Sequence, residues 1–385
     1  MLVLSVGLEV RGPNLQNNAV ALYFHRLGVA GGAQRMVCLL ADALAGRNFL
    51  VHVVSWDQSG ATAFYPLDAK VKWHRLGFYP GVADKLRRAG TLAKLLREQN
   101  VRVLVGFVMS GDRTVFVAAK LAATKLIAAE RNAPAMYHMR YSRLERWLSF
   151  ASLHVADRIT VQFAEYVRDY PATLQNRIEV IPNPVEMPSQ RARPEQPRPG
   201  GRFALLTVGR LDSVQKGMDK LVEAFAIVAD RHPAWDLVIV GDGPAEADLR
   251  NLAVARGISG RVRLTGPIHN VFQQYVESNL FVLPSRWEGF PNALAEALAH
   301  GLPAVGFRDT PGVAQLIKHG ETGWLADGSG DELALAKVLD EAMGSNPERA
   351  NRGANASRSM AVYAPEPQFD RWASLIRAVA ERPNE

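Results

Sequence analysis

Short apolar runs alternate with segments whose apolar residues recur at helical spacing along most of the 385-residue chain. Residues 19–25 predict a strand, residues 28–32 a glycine-containing loop, residues 33–45 a helix and residues 49–55 a second strand. Further strands are predicted at 101–108, 125–129 and 159–161. Alternating strands and helices are typical of a parallel sheet that helices cover on both faces.

The pattern stops at residues 187–201, which contain four prolines and no apolar run that could pack. It then restarts, with helices predicted at 218–231 and 367–380 and strands at 203–208, 235–240, 262–264, 280–283 and 303–306. A chain of this length favours two domains. We therefore predict an α/β protein with a first domain over 1–190, a second over 191–365 and a helix within the terminal segment 366–385.

The net charge of +7 is distributed unevenly. Residues 1–192 contain 24 Lys and Arg against 14 Asp and Glu, whereas the remainder contains 21 against 24. A basic half can attract an anionic membrane surface or an anionic substrate, and it can also be an ordinary solvated face. The sequence shows no nucleic-acid recognition module, so we expect no nucleic acid among the partners.

The first residues of the chain and its cysteine content indicate in which cellular compartment the protein is expected. The opening run from Met1 soon reaches Glu9 and Arg11, unlike a secretory signal. No stretch approaches the ~20 apolar residues of a membrane-spanning helix. Cys38 is the single cysteine, which suits a reducing compartment. We therefore predict a cytoplasmic protein, soluble or peripheral at a membrane.

Two glycine-containing turns follow predicted strands. Gly31 and Gly32 would let backbone N–H groups approach an anion at a helix start, although they could equally form only a tight turn. In the second turn Gly209 ends the strand, and Arg210 and Lys216 bracket the loop. Two cations at the carboxyl end of a strand suit a diphosphate. The alternative is that both are simply exposed basic residues.

The segment 284–297 places two glutamates after an apolar strand. Glu288 stands in the predicted loop, and Glu296 lies eight residues later. If a helix starts at Asn292, Glu296 falls about one turn inside it, and the two carboxylates can address different parts of one ligand. The free N–H groups at the helix start can bind phosphate, and carboxylates accept hydrogen bonds from sugar hydroxyls. The alternative is that both glutamates only favour the helix dipole.

In combination these segments resemble the retaining glycosyltransferases of family 4, which have the GT-B fold of two Rossmann-like domains facing a central cleft. Segment 288–296 matches the family's E-x7-E signature, segment 208–217 its donor-diphosphate motif, and Gly31-Gly32 the glycine pair of the first domain. The remaining matches are at 241–244, 264–266 and 300–304. The resemblance implies an acceptor-binding first domain, onto which the terminal helix packs back, and a second domain that binds a nucleotide-sugar donor.

The resemblance also implies residue roles. Arg210 and Lys216 would hold the donor diphosphate, Glu288 would face the transferred sugar, and Glu296 would bind ribose hydroxyls. Glu130 would act on the acceptor side, because its segment looks like the S-E-R-N-x-P motif of a branch that builds lipid-linked oligosaccharides and polysaccharides. The predicted donor-binding residues are Gly31, Gly32, Gly209, Arg210, Lys216, Gly243, Thr265, Gly266, Glu288, Gly289, Phe290, Pro291, Asn292, Ala293, Leu294 and Glu296.

The implied reaction is retaining transfer of a hexose or N-acetylhexosamine from a nucleoside diphosphate sugar, with UDP expected, to a hydroxyl. The acceptor would be a glycan or a polyprenyl-diphosphate-linked sugar. Cations and the helix start would stabilise the leaving diphosphate, so we expect no metal and no other cofactor. A nucleotide-sugar epimerase and a non-catalytic, membrane-associated binding module of the same fold are the alternatives.

Two features concern the acceptor side. Residues 109–112 contain no histidine, although some family members place one there. Residues 82–97 predict a basic amphipathic helix, with an apolar stripe formed by Leu86, Ala89, Leu92, Ala93 and Leu96. This stripe would either contact the cytoplasmic face of an anionic inner membrane or pack on the sheet.

Overall fold

The computed structural model describes residues 18–29, 31–79, 81, 84–108, 112–268 and 270–382. The opening residues, from which we predicted that no secretory signal is present, lie outside these ranges. Residues 109–111, which belong to the loop without histidine, lie outside them too. Within them, the structure has no helix that is both long enough and apolar enough to cross a bilayer.

Seven parallel strands form the first sheet. They are β1 (Ala19–Tyr23), β2 (Leu50–Ser55), β3 (Lys72–Arg75), β4 (Val103–Val108), β5 (Lys125–Glu130), β6 (Arg158–Val161) and β7 (Ile178–Val180). Their spatial order is β3-β2-β1-β4-β5-β6-β7. Leu22 of β1 pairs with Val53 on one side and Val105 on the other, and all three are fully buried. Burial on both faces explains why these strands read as apolar runs without alternation.

Six parallel strands form the second sheet. They are β8 (Phe203–Val208), β9 (Trp235–Val240), β10 (Val262–Leu264), β11 (Leu280–Val282), β12 (Ala304–Phe307) and β13 (Gly323–Ala326). Their order is β10-β9-β8-β11-β12-β13. The strand order reverses between β8 and β11, as it does between β1 and β4 in the first sheet. Ligands of open parallel sheets bind at such switch points, beyond the carboxyl ends of the strands.

Helices cover both sheets. They are α1 (Gly32–Gly46), α2 (Asp84–Glu98), α3 (Thr114–Ala122), α4 (Ala135–Arg140), α5 (Arg143–Leu153), α6 (Ala172–Gln175), α7 (Met218–Ala229), α8 (Glu246–Ala255), α9 (Phe272–Val276), α10 (Asn292–Ala299), α11 (Val313–Leu316), α12 (Glu332–Gly344), α13 (Asn346–Ser359) and α14 (Pro365–Ala380). The architecture is thus the predicted α/β fold with two Rossmann-like sheets.

The terminal helix α14 lies on the first sheet. Its Trp372 is fully buried, and the indole stacks on Phe107 of β4 with ring centroids 6.4 Å apart. Arg131 places its guanidinium 5.1 Å from the centroid of the same indole. In the same half of the helix, Arg47 donates to the carboxylate of Asp370 at 2.9 Å. The last helix is therefore anchored to the first half of the chain by apolar packing and by charge.

The proline-containing segment 187–201 lies along the second half of the chain. The side-chain amide of Asn279 donates to the carbonyl of Gln196 at 2.6 Å, and Arg349 donates to the carbonyl of Pro194 at 3.0 Å. The backbone N–H of Ala192 donates to the carbonyl of His300 at 2.8 Å. These bonds fix the segment in place, so it is not a free linker.

The apolar stripe of α2 faces the core. Ala89, Leu92, Ala93 and Leu96 are all at most 3% exposed, and the last three belong to a buried apolar cluster that includes residues of the first sheet. Residues 82 and 83 and the side chain of Leu86, which the prediction also included, lie outside the described part of the chain. Of the two alternatives for this stripe, the structure shows the second, because these side chains cover the sheet and are not available to a membrane.

Candidate active site

The second switch point brings together the two charged motifs. The loop that contains Lys216 follows β8, and the loop that contains Glu288 follows β11, its neighbour in the sheet. The Lys216 ammonium lies 2.5 Å from Oε1 of Glu288, and the Ser285 hydroxyl donates to the same oxygen at 2.6 Å. A lysine has three N–H donors, so Lys216 keeps donors for a second anion beside the glutamate.

Helix α10 begins at Asn292, as the spacing predicts. Its first intrahelical bond runs from the N–H of Ala295 to the carbonyl of Pro291, at 3.0 Å. The N–H groups of the first turn, including those of Ala293 and Leu294, therefore have no acceptor within the helix. Pro291 itself has no N–H, so among the predicted backbone contacts it can offer only its carbonyl oxygen.

Glu296 sits one turn into α10, and each of its carboxylate oxygens has a partner. Oε1 forms an ion pair with Arg35 of α1, and Oε2 accepts a hydrogen bond from the Tyr275 hydroxyl at 2.9 Å. Burial raises the pKa of Glu296, and the guanidinium of Arg35 offsets part of that rise. The residue is thus an oriented acceptor whose remaining lone pairs can take hydrogen bonds from ligand hydroxyls.

The glycine pair of the first domain meets the start of α10. Asn292 donates to the carbonyl of Gly32 at 3.4 Å and accepts from the amide of Asn183 at 2.9 Å. A Cβ on Gly32 would lie only 2.6 Å from the Asn292 amide nitrogen. Gly31 is its neighbour at the helix start, where its carbonyl accepts from the N–H of Arg35 at 3.0 Å. The loop after β1 therefore borders the same site as the loops of the second sheet.

Gly289 marks a close approach between the two halves. A Cβ at this position would overlap the carbonyl oxygen of Arg131, so only glycine fits here without movement. The Tyr166 hydroxyl shares its hydrogen between the carbonyls of Glu288 and Gly289, at 2.9 and 2.8 Å. Next to it, the ring of Phe290 stacks on Phe163 with centroids 5.4 Å apart. The loop with Glu288 is held in position by the first half of the chain.

The remaining predicted donor-binding residues lie along the edge of the second sheet. Arg210 follows Gly209, and its side chain is 59% exposed and donates to Asp212 at 2.6 Å. The turn before Gly243 is tied to this loop, because the N–H of Leu211 donates to the carbonyl of Asp242 at 2.8 Å. A third loop joins them where the N–H of Gly241 donates to the carbonyl of Gly266 at 3.0 Å; Thr265 precedes it.

Glu130 does not follow its strand but ends it, as the last residue of β5. Its side chain is only 4% exposed. One carboxylate oxygen accepts hydrogen bonds from the hydroxyls of Tyr137 at 2.6 Å and Tyr170 at 3.1 Å. Burial raises the pKa of Glu130, against the opposing effect of these two bonds. The structure therefore places Glu130 in a packed cluster of the first domain, whereas the acceptor-side role that the resemblance implies requires a side chain that reaches the cleft.

Sequence reasoning missed several partners of the predicted residues. Arg35, Tyr166, Asn183 and Tyr275 all contact the loop or helix around Glu288 and Glu296. One signal was visible in the sequence, since Asn183 is a polar residue that stands between two prolines. Across the described ranges, the structure shows no group of three or more His, Cys, Asp or Glu side chains that could hold a metal ion.

Two family models match consecutive parts of the chain. The model described as Glycosyltransferase Family 4 matches residues 30–187, and the model described as Glycosyl transferases group 1 matches residues 188–359. Together they cover residues 30–359, which include every strand of the two sheets except β1 and all the residues of the site described above.

Proteins with similar sequences are also named glycosyltransferases. An uncharacterised glycosyltransferase of Haemophilus influenzae is 29% identical over 369 residues, which cover 93% of this chain and 99% of that protein. The amylovoran biosynthesis glycosyltransferase AmsD of Erwinia amylovora is 30% identical over 172 residues. That match covers 45% of this chain and 47% of AmsD.

Solved structures share the fold at low sequence identity. Sucrose-phosphate synthase from Thermosynechococcus elongatus has a TM-score of 0.77 at 18% identity, and Anabaena HepE, solved with UDP and glucose, has 0.72 at 16%. In both comparisons the match covers 94% of this chain and 99% of the other. The two matching models, the site and the fold agree: the chain belongs to glycosyltransferase family 4 and has the GT-B fold.

Proposed function

We propose that this protein transfers a hexose or N-acetylhexosamine, with retention of configuration, from a UDP-linked donor to a hydroxyl of a glycan or lipid-linked acceptor. The observation that carries the proposal is the 2.5 Å pair of Lys216 and Glu288 beside the start of α10. A cation, a carboxylate and a set of free N–H groups meet there, as binding of a sugar joined to a diphosphate requires.

In the proposed reaction the bond between the sugar C1 and the diphosphate oxygen breaks, and a bond from C1 to the acceptor oxygen forms on the same face. The acceptor proton passes to an oxygen of the leaving phosphate. Negative charge develops on the diphosphate, and Lys216, Arg210 and the N–H groups at the start of α10 stabilise it in place. These groups supply the charge that a metal ion supplies elsewhere, so the proposal needs no metal.

The two glutamates have different parts in this proposal. Glu288 faces the transferred sugar, where its carboxylate accepts hydrogen bonds from sugar hydroxyls and keeps Lys216 oriented. Glu296 binds the ribose hydroxyls, because Arg35 and Tyr275 already fix both of its oxygens in one orientation. A preorganised acceptor pair of this kind binds a vicinal diol without first reorganising.

Relatives support the choice of donor and acceptor classes. HepE was solved with UDP and glucose, and AmsD is named for the synthesis of the polysaccharide amylovoran. WaaB, a lipopolysaccharide outer core galactosyltransferase, shares the fold with a TM-score of 0.71. We propose that the acceptor here is likewise a growing cell-surface glycan or its polyprenyl-diphosphate-linked precursor, used at the cytoplasmic face of the inner membrane.

A panel of UDP- and GDP-sugars tests the proposal. The correct donor raises the melting temperature by mass action, and a glycan acceptor then yields an α-linked product from an α-linked donor, visible by NMR. An inverted product contradicts retention. A sugar nucleotide that is epimerised without an acceptor, or binding without any turnover, would favour the epimerase or the non-catalytic module instead.

A further inference from the structure

Helix α5 turns an apolar stripe toward solvent. Leu144 and Trp147 lie three residues apart on one face and are 66% and 64% exposed. Met139, near the end of the preceding helix α4, is 58% exposed. Ala151 continues the stripe one turn further and is also exposed. A surface helix ordinarily buries such a stripe, so an exposed one marks an interaction surface.

The exposure is a property of a well-formed helix, not of a frayed end. Ser142 caps the N-terminus of α5 and accepts from the N–H of Glu145 at 3.2 Å, while Glu145 accepts from the N–H of Ser142 at 3.0 Å. The opposite face is packed, since Leu153 is fully buried. Between the two faces, the ring centroid of Phe150 lies 4.9 Å from that of Tyr137 and 5.9 Å from that of Tyr170. The apolar stripe is thus held outward by its own inner face.

Arginines surround the stripe. Arg140, Arg143 and Arg146 stand between Met139 and Trp147 in the sequence, and both Arg140 and Arg143 are exposed. The only acidic residue of α5 is Glu145, whose carboxylate is engaged with the backbone and hydroxyl of Ser142. The surface formed by Met139, Arg140, Arg143, Leu144 and Trp147, here named the α5 surface, is therefore both apolar and cationic.

The α5 surface lies close to the cleft. Helices α4 and α5 follow the carboxyl end of β5, on the edge of the first sheet that faces the second domain. From α5 the packing passes through Tyr170, which donates to Glu130 together with Tyr137, and the nearby Tyr166 donates to the Glu288 loop. A surface seated on this edge stands beside the site.

We propose that the α5 surface binds an anionic phospholipid membrane. An indole and aliphatic side chains partition into the headgroup region of a bilayer, and neighbouring arginines are attracted to anionic headgroups. The charge of the whole first half of the chain, 24 Lys and Arg against 14 Asp and Glu in residues 1–192, complements such a surface. A protein partner would need acidic groups matched to each arginine, whereas an anionic bilayer presents them without a fixed pattern.

This proposal does not depend on the donor chemistry, but it deepens the proposed function, because it brings a lipid-linked acceptor beside the cleft. It is tested by co-sedimentation of the full-length protein with vesicles of phosphatidylcholine alone and with vesicles that also contain phosphatidylglycerol, at low and high salt. The wild-type protein is expected to bind only the anionic vesicles, and less at high salt.

Two variants remove the two properties separately. Leu144→Ser with Trp147→Ser removes the apolar stripe and is expected to weaken binding on the order of tenfold. Arg140→Gln with Arg143→Gln removes two charges and is expected to weaken it about fivefold for each arginine. The matched control is Leu333→Ser with Lys337→Glu on α12 of the second domain, where both residues are exposed. This control should bind like the wild-type protein.

Equal melting temperatures and equal thermal shifts with the donor show that fold and donor site are intact, which separates failure of this proposal from failure of the proposed function. Loss of vesicle binding in both α5 variants but not in the α12 control supports the proposal. Unchanged binding in the α5 variants overturns it. A wild-type protein that binds no vesicle also overturns it. In that case, α5 variants that change the oligomeric state would show that the surface binds a second copy of the chain.

Discussion

Arg35 of α1 and Glu296 of α10 form an ion pair although 261 residues separate them in the sequence. Their side chains are 26% and 15% exposed, so each charge is largely removed from water. Tyr275 fixes the other oxygen of the carboxylate. The pair joins the glycine loop of the first sheet to the helix that carries the E-x7-E signature, and it couples the arrangement of the two domains to the ribose side of the proposed donor site.

Removing Arg35 should therefore affect stability and donor binding together. We expect Arg35→Ala to cost about 1–3 kcal/mol, because it leaves a largely buried carboxylate without its cation. The double variant Arg35→Ala/Glu296→Ala should be less destabilised than the sum of the two single variants, because no unpaired charge remains. Melting curves and donor titrations of all four proteins measure this coupling. Strictly additive effects would show that the pair is not energetically coupled.

Gly289 should not tolerate a side chain. Gly289→Ala forces the Glu288 loop away from the carbonyl of Arg131, so we expect donor turnover to fall at least about tenfold, as misplacement of catalytic groups commonly causes. Gly90 is the matched control, because it lies exposed within α2 and a Cβ there meets nothing within 4 Å. Gly90→Ala should raise stability by up to about 1 kcal/mol and leave turnover unchanged. Full activity in Gly289→Ala would contradict the close approach.

The Tyr166 hydroxyl should contribute to holding the Glu288 loop. Tyr166→Phe leaves two buried carbonyls without their donor, and we expect a loss of about 1–3 kcal/mol and a lower melting temperature. Tyr79 is 65% exposed, so Tyr79→Phe serves as a control that should melt like the wild-type protein. Identical melting temperatures for both variants would show that the Tyr166 hydroxyl does not stabilise the Glu288 loop.

A buried histidine pair predicts acid sensitivity. His52 of β2 is fully buried, and its Nδ1 lies 2.9 Å from Nε2 of His74. Burial, with the nearby charges of His74 and Lys72, lowers the pKa of His52 from 6.5 to about 4. The folded state thus resists a proton that the unfolded chain accepts, so this contribution to stability is complete above pH 6.5 and is lost as the pH falls toward 4.

The variant His52→Leu removes this linkage. We expect its melting temperature to fall less than that of the wild-type protein between pH 6.5 and pH 4.5, whatever its value at pH 7.5. The exposed His154→Leu is the control and should follow the wild-type profile. Parallel profiles for all three proteins would exclude His52 as a source of the acid sensitivity.

Much of the fold follows from local pattern. The bounds of β8, β9 and β10 were predicted to the residue, and each of these strands is followed by glycine or a polar loop. In contrast, β3 was missed because it has polar residues at both ends, and β7 was also missed. Strand β13 begins with glycine, which weakens any strand pattern.

The site was predictable only in part. Lys216 and Glu288 stand out because each lies in the loop after a strand, and the two strands are neighbours at a switch point. Arg35 and Tyr275 gave no such signal, because both act through Glu296, which Arg35 reaches from the first domain and Tyr275 from another helix of the second. Glu130 is the reverse of these residues, because its sequence motif resembles a functional one but its side chain is not part of the site. The structure surrounds it with two tyrosine hydroxyls and a packed core.

The central claim is that Lys216 and Glu288 work on a sugar diphosphate. The direct measurement is nucleotide release from the donor that gives the largest thermal shift, compared among the wild-type protein, Lys216→Met, Glu288→Gln and the control Lys220→Met. Lys220 lies in the first turn of α7, the helix after the Lys216 loop, and pairs with Glu332 at 2.9 Å. It is therefore also a lysine paired with a glutamate, but it lies outside the proposed donor site. We predict a loss of about 100-fold or more in the first two variants and none in the control, with all four proteins folded. Wild-type turnover in both Lys216→Met and Glu288→Gln would contradict the account.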